Sequence, residues 1–403
     1  MYYIEVYGIV FSLIGYSFFI KHYKLGDYST SLKIFDQNGK NYVHEKKLSK
    51  TYLNESINIP NIVSRIAIKN NFRVPSFTEA KKVGDIGSDS IIPSYSTVKN
   101  ASESEKIEIV ELKDVFVTKE TIFIQDGVYY PFDCRCHWRV CSNSHKGLPT
   151  SYDYVIHDRV ISISHEYSYF YAHWIMDMMP SFAILPAEII ENATIIIPFA
   201  QRFVIEGLGL LNIPISSIIS LRENEVVFAK QFFTVLPIQC TVFSGYLLSN
   251  LREVISKKLN LDSKPPSMYV VYNRKTSFRG IENFNSVFNS IQSTYSNISW
   301  VMCDIPKGLA DQFRFFNNIL FFLSVHGGTY ANTLFMQPKT VVVEIQVDRW
   351  VDNFLWISAF TNKYHVIGRN TSIKWRTESK NYLQSSYVNE LVKTGLELIG
   401  KEI

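Results

Sequence analysis

From residue 107 onward, apolar and polar positions fall into short runs that read by turns as strands and helices. Runs rich in β-branched and aromatic residues at 107–117, 155–164, 194–198 and 232–236 predict strands. The wider apolar spacing at 168–185, 199–211 and 245–260 predicts helices. Pro265 and Pro266 interrupt the pattern and mark a domain boundary. Beyond them, strands at 268–272, 298–302, 319–325 and 341–345 are each followed by a helix, at 283–295, 308–317, 329–336 and 350–361. ILFFLSV and VVVEI are almost continuously apolar, as parallel strands buried on both faces are. The expected fold is α/β: two halves with parallel sheets, 105–264 and 265–375, facing a cleft near the carboxyl ends of their strands, then a helical tail at 376–403.

The first 104 residues follow a different rule. Positions 2–20 hold one charge, Glu5, and an uncharged run from Val6 to Ile20, a length between a signal-peptide core and a full membrane span. No small-residue cleavage site follows, because the chain runs straight into Lys21, His22, Tyr23 and Lys24. An uncleaved signal anchor over 1–24 fits better than a cleaved signal peptide or a buried element. It predicts a single-pass membrane protein of the Golgi or endoplasmic reticulum with a lumenal body, although the basic residues after the segment oppose that orientation. Residues 21–82 carry 12 Lys and Arg against 5 Asp and Glu, and 81–105 is rich in Ser, Gly, Asp and Lys, so 25–104 reads as a basic stem and linker.

Composition narrows the classes. With 403 residues, 46% of them hydrophobic and 19% charged, the chain has the apolar surface for a large core and is not a disordered sequence. A net charge of +4 is too small to argue for a nucleic-acid partner, and none is expected. N-x-S/T tripeptides begin at Asn54, Asn100, Asn192, Asn297 and Asn370; a count this close to chance decides nothing. Cys134, Cys136 and Cys141 cluster near His145, but the spacing lacks a C-x2-C knuckle, so a loop disulfide is favoured over zinc, and the odd total with Cys240 and Cys303 leaves a thiol over.

Candidate chemistry sits in three stretches. In SVHGGTYANTLFMQPKTVVVEI a buried strand ends at Val325 and His326-Gly327-Gly328 turns into a helix. Glycines admit a ligand close to the backbone and a helix N-terminus offers free N–H groups, which suits a diphosphate; Glu344 on the next strand is placed to accept from ribose hydroxyls. A plain strand–turn–helix with a capping histidine has the same pattern. In YSYFYAHWIMDMMPSF, His173 and Asp177 are four apart and share a helix face, the arrangement of a general base with its carboxylate and also of a histidine satisfied in a core. In VVYNRKTSFRG, Arg274 and Arg279 follow a strand end, and their guanidinium groups suit phosphate unless they are simply solvated. D-x-D, G-x-S-x-G and the P-loop pattern are all absent from the sequence, and the GLGLLN fragment at Gly207 falls too late in a helix to be a dinucleotide fingerprint.

In this order the three stretches resemble family 61 glycosyltransferases. His173, Trp174, Asp177 and Pro180 match the first block of that family; Arg274, Arg279, Ile281 and Asn283 match the second. His326, Gly327, Asn332, Leu334, Phe335, Met336, Pro338 and Glu344 match the third, the most specific, and the similarity runs over about 105–370. Ala172, Phe284 and the pair Gly328-Thr329 depart from the family pattern. The resemblance implies a GT-B architecture, two Rossmann-like domains facing a cleft, and inverting, metal-independent transfer of a sugar from a nucleotide-sugar, most simply a UDP-sugar, to a hydroxyl of a protein or glycan acceptor. It implies no cofactor beyond that donor. Asp177 or His173, in the acceptor-side domain, would be the base. Arg274, Arg279, His326, Gly327 and Gly328 would hold the diphosphate, with Asn332 supporting the loop and Glu344 on the ribose. The alternative is a non-catalytic binding or scaffold protein on the same fold.

Overall fold

The structure is a computed structural model that describes residues 29–35, 41–47, 49–50, 62–75, 81–83, 98–100, 103, 105–119, 121, 123–125, 128–130, 153–165, 167–222, 225–236, 244–274, 279–375 and 380–401. The expected anchor over 1–24 and the cluster of Cys134, Cys136, Cys141 and His145 lie outside them, as does Cys240. Among the described residues no helix is long and apolar enough to cross a membrane.

The strands are β1 (Ser29–Phe35), β2 (Asn41–Lys47), β3 (Ser49–Lys50), β4 (Ile62–Ile68), β5 (Lys81–Val83), β6 (Ile107–Val117), β7 (Phe123–Gln125), β8 (Val128–Tyr130), β9 (Asp153–Ser162), β10 (Thr194–Ile197), β11 (Ile218–Ser220), β12 (Glu225–Leu236), β13 (Met268–Tyr272), β14 (Trp300–Met302), β15 (Ile319–Val325), β16 (Val341–Gln346) and β17 (Tyr364–Arg369). β1 and β2 pair as an antiparallel hairpin. Two larger sheets, both rich in parallel pairs, make the body of a mixed α/β fold.

In the first sheet, β11-β10-β9-β12 are parallel neighbours, and β6 extends them antiparallel on β12. The second sheet, β14-β13-β15-β16-β17-β5, is parallel throughout. Both contain a reversal of strand order. In the first, β9 has β10 on one side and β12 on the other; in the second, β13 has β14 on one side and β15 on the other. Crossovers leave in opposite directions at such points, opening a crevice at the carboxyl ends of the two central strands.

Period-2 alternation decides what each face carries. On β15, Phe322 faces the core between the sheets, whereas Phe321, Leu323 and Val325 face a second core beneath helices Phe284–Thr294 and Ser385–Leu398; Ile319, at a register shift against β13, also joins the first core. On β16, Val342 belongs to the first core, which puts Glu344 on that same inward face. The first core draws side chains from both sheets, Ile161 and Ile163 among them from the β9 region and Val270 from β13. Helix Gly245–Leu259 ties the halves together. It starts where Ser244 Oγ accepts from the Leu247 N–H at 3.2 Å and stops at Asn260, which takes a left-handed φ of 51°. Its apolar face, Leu247, Leu248, Leu251 and Ile255, packs in the core shared by both halves.

Two parts of the chain expected to lie outside the body are built into it. Within the segment expected to be stem, β4 pairs antiparallel with β6, β5 extends the second sheet along β17, and Val74 and Val98 are buried. β5, KKV, is too short to carry a pattern, whereas β4, IVSRIAI, holds five apolar residues and one charge inside a segment whose overall composition is basic. The region expected as a C-terminal tail forms helix Ser385–Leu398, whose Val388, Leu391, Val392 and Leu396 complete the outer core of the second sheet.

Candidate functional site

Directly after β9 the chain makes a tight turn. The Ser168 N–H donates to the His165 carbonyl at 3.0 Å, and the His165 N–H donates to Ser168 Oγ at 2.9 Å. Tyr171–His173, Trp174–Met178 and Met179–Phe182 then follow as one helical run whose middle segment is π-helical. Pro180 supplies the cause: it has no N–H to return to the preceding turn, and the helix widens just before it. Asp177 sits in this widened turn with no exposed surface. Its Oδ2 receives two imidazoles, His173 Nδ1 at 2.6 Å and His165 Nε2 at 3.1 Å. The side chain of His173 is 22% exposed and those of the other two are fully buried, so His173 alone meets solvent.

Hydrogen bonds fix the His165 tautomer. The Tyr167 N–H donates to His165 Nδ1 at 3.1 Å, which places the ring proton on Nε2, aimed at Asp177. The donor atoms of His165, His173 and Asp177 lie within 4.8 Å of one another, a spacing a metal ion would accept. Ligation through His165 Nε2 would, however, force a proton onto Nδ1 against the Tyr167 N–H, so these residues fit a hydrogen-bond chain better than a metal site. That chain leaves His173 Nε2 without a partner among the described residues, as an acceptor.

The second half repeats this chemistry. His326, directly after β15, bonds through Nδ1 to Glu344 Oε1, and His365 Nε2 bonds to Glu344 Oε2 at 3.0 Å. His365 Nδ1 meets Ser358 Oγ at 2.8 Å, and because the Glu344 carboxylate only accepts, the His365 ring proton facing it sits on Nε2. Burial on its own would push the Glu344 carboxyl up; the charge and hydrogen bonds of His326, with those of His365, outweigh it and hold the carboxyl at about 2. Glu344 is 1% exposed and both its oxygens are occupied. Here it differs from the ribose role expected of it: period 2 turns it inward, and it orients His326 instead.

Arg274 and Arg279 converge on the turn after His326. Arg279 Nη1 donates to the His326 carbonyl at 3.0 Å, and Arg274 Nη1 lies 3.5 Å from the same oxygen. Neither forms an ion pair among the described residues, and the Nε of each is buried without a partner. Burial, aided by the charge of Arg274, pushes the Arg279 guanidinium down to about 10, and burial lowers Arg274 as well. Arg279 also takes a left-handed φ of 64° and lies 4.5 Å from the centroid of Trp375. Two like charges, half-stripped of water and lacking a carboxylate, form a site that an anion would stabilise.

The two halves meet here. A Cβ placed on Gly328 would lie 3.8 Å from the Cβ of Ala172, the residue before His173. The Tyr171 hydroxyl bonds to Asn332 Oδ1 and, at 2.9 Å, to Gln312 Oε1, so Asn332 joins the halves rather than facing an open donor space. The structure thus brings His173, Asp177, Arg274, Arg279, His326, Gly327, Gly328, Asn332 and Glu344 into one region at the carboxyl ends of β9, β13 and β15.

The family model described as Glycosyltransferase 61 matches residues 171–343, from the first residue of the His173 helix to the strand that carries Glu344. Over these residues the chain is similar to family 61 glycosyltransferases. No curated protein matches the chain. A glycosyltransferase uses a sugar donor and an acceptor, and the family 61 match begins and ends within the region just described.

Three residues around the site, all outside the matched stretch 171–343, escaped the sequence reading. His165 and His365 are separated from their carboxylates by 12 and 21 positions, and only the fold joins them. Trp375 lies in a polar stretch with no periodicity, yet its ring is 5.0 Å from that of His326. Gly207, set aside as a nucleotide fingerprint, is a packing glycine: a Cβ there would come within 2.8 Å of Trp174 Nε1. A cavity of about 720 Å³ beside Arg252, Ser256 and Asn362 shares none of the candidate residues.

Gly327 allows a direct test of the arginine placement. A Cβ there would fall 1.4 Å from Arg274 Nη1, whereas one on Gly328 meets nothing closer than 3.8 Å. Gly327→Ala is expected to displace Arg274 and weaken nucleotide binding about tenfold or more, with Gly328→Ala close to wild type. Isothermal titration of both variants with UDP checks this.

Proposed function

We propose that the protein is an inverting, metal-independent glycosyltransferase that moves a sugar from a nucleotide-sugar, a UDP-sugar in the simplest case, to a hydroxyl of a protein or glycan acceptor. The observation that carries this reading is the half-buried arginine pair with no carboxylate partner among the described residues, set beside a histidine whose Nε2 has no partner among them. His173 Nε2 takes the proton of the acceptor hydroxyl as the oxygen attacks the anomeric carbon, and the bond to the diphosphate breaks on the opposite face. A single displacement of this kind inverts the centre. The charge left on the diphosphate is met by Arg274 and Arg279, by the backbone at Gly327 and Gly328, and by His326, whose Nδ1 is held by Glu344. Asp177 and His165 are positioning residues that keep the His173 proton on Nδ1.

Two parallel-rich sheets, each with its reversal of strand order near the same region, are what a GT-B reading requires. An anchor over 1–24 and a body in the Golgi or endoplasmic reticulum lumen complete the proposal; protease protection of the body in sealed microsomes is its test, and full digestion sinks it. For the donor site, a thermal-shift series on the full chain with UDP, GDP and CMP is expected to give stabilisation by UDP that Arg279→Ala abolishes. No shift with any nucleotide removes the donor reading.

A further inference from the structure

Of the large apolar side chains left exposed among the described residues, only Tyr169 and Phe170 are neighbours in the chain. They are 37% and 48% exposed, and both stand in the turn that leads from His165 to His173. Their ring centroids are 4.0 Å apart. Phe199 meets the edge of Tyr169 at 5.5 Å, and Phe170 lies 6.2 Å from the His173 ring. The rings are held by backbone bonds: the Phe170 N–H donates to the Tyr167 carbonyl at 2.9 Å, and the Phe170 carbonyl accepts from the Trp174 N–H at 3.0 Å. An apolar step kept in place facing water, one ring away from a candidate base, suits a ligand with an apolar face and hydroxyls at its rim.

A pyranose ring has that shape: its axial C–H groups stack on an aromatic face while its hydroxyls point outward. A peptide acceptor needs backbone partners, as strand addition provides. The turn uses its own groups internally, the His165 N–H and C=O, the Tyr167 N–H and C=O, the Ser168 N–H and both backbone groups of Phe170. We infer that the Tyr169–Phe170 step is the acceptor subsite and that it takes a pyranose of a glycan, stacked so that one hydroxyl reaches His173 Nε2. The inference deepens the transferase reading and rests on His173 as its base.

The test is saturation-transfer NMR on the full chain with xylotetraose, cellotetraose, mannotetraose, chitotetraose and an unglycosylated Ser/Thr-rich peptide, alongside UDP thermal shift on the same samples. Saturation is expected at the ring C–H protons of at least one oligosaccharide. Phe170→Ala and Tyr169→Ala should each weaken that sugar about tenfold without changing the UDP shift, and Ile215→Ala, exposed elsewhere, should change neither. No oligosaccharide signal from a chain that UDP stabilises, sugar affinity indifferent to Phe170, or peptide binding that depends on Phe170 each overturns the inference. Sugar binding that depends on Phe170 in a chain that UDP does not stabilise keeps the subsite and removes the donor reading.

Discussion

His173→Ala should lower turnover by about 10²–10⁴-fold with donor affinity unchanged, the range for losing a positioned general base. His173 is the one member of its trio that reaches solvent, but its removal leaves the buried Asp177 carboxylate to His165 alone, so turnover is compared in a variant first shown to be folded. Asp177→Asn should approach the same loss by a different route. An amide presenting N–H to His173 Nδ1 draws the imidazole proton to Nε2, where the acceptor hydroxyl needs a lone pair. Steady-state kinetics separate the roles: kcat falls and donor KM holds in both variants. If Asp177→Asn keeps wild-type turnover while His173→Ala does not, the tautomer argument is wrong. If His173→Ala is fully active, the base has been misplaced.

Glu344→Gln carries the largest expected cost in stability. Its carboxylate accepts from His326 and His365 at once, and an amide would turn an N–H toward one of them in a buried site. Breaking such a pair from one side costs about 3–5 kcal/mol, a drop of several degrees in melting temperature. The pH dependence has a definite sign. The folded pKa is about 2 against the ordinary 4.5 of a glutamate carboxyl, so the unfolded chain binds more protons between these values. The contribution is whole above pH 4.5 and is lost as pH falls toward 2. The stability gap between wild type and Glu344→Gln, followed by denaturant titration, should therefore be constant at neutral pH and close through that window.

The residues of the site were legible in the sequence far better than their connections. Four-residue spacing gave the His173–Asp177 pair, and the strand ends gave Arg274, His326 and Glu344, because both signals depend on local geometry alone. His165 and His365 depend on which strands lie side by side, which hydrophobic periodicity does not encode. Glu344 shows the same divide: its position at the end of an apolar strand was visible, its inward face and two imidazole partners were not. The π-turn around Asp177 did have a signal, Pro180 inside an otherwise helical run. In the first 104 residues β5 was hidden because three residues, KKV, carry no pattern, whereas the apolar run of β4, IVSRIAI, was outweighed by the basic composition of the segment around it. β17 was missed for a similar reason, following the preceding helix with no Gly or Pro between.

The account stands or falls on whether the chain turns over a nucleotide-sugar at the site assembled by its two halves. Release of UDP from a panel of UDP-sugars, measured with EDTA present for the full chain and for His173→Ala, tests it most directly. Turnover of one sugar nucleotide that survives EDTA and disappears in the variant is the predicted result. Nucleotide binding without release from any donor would contradict it and make the protein a binding module on a glycosyltransferase fold.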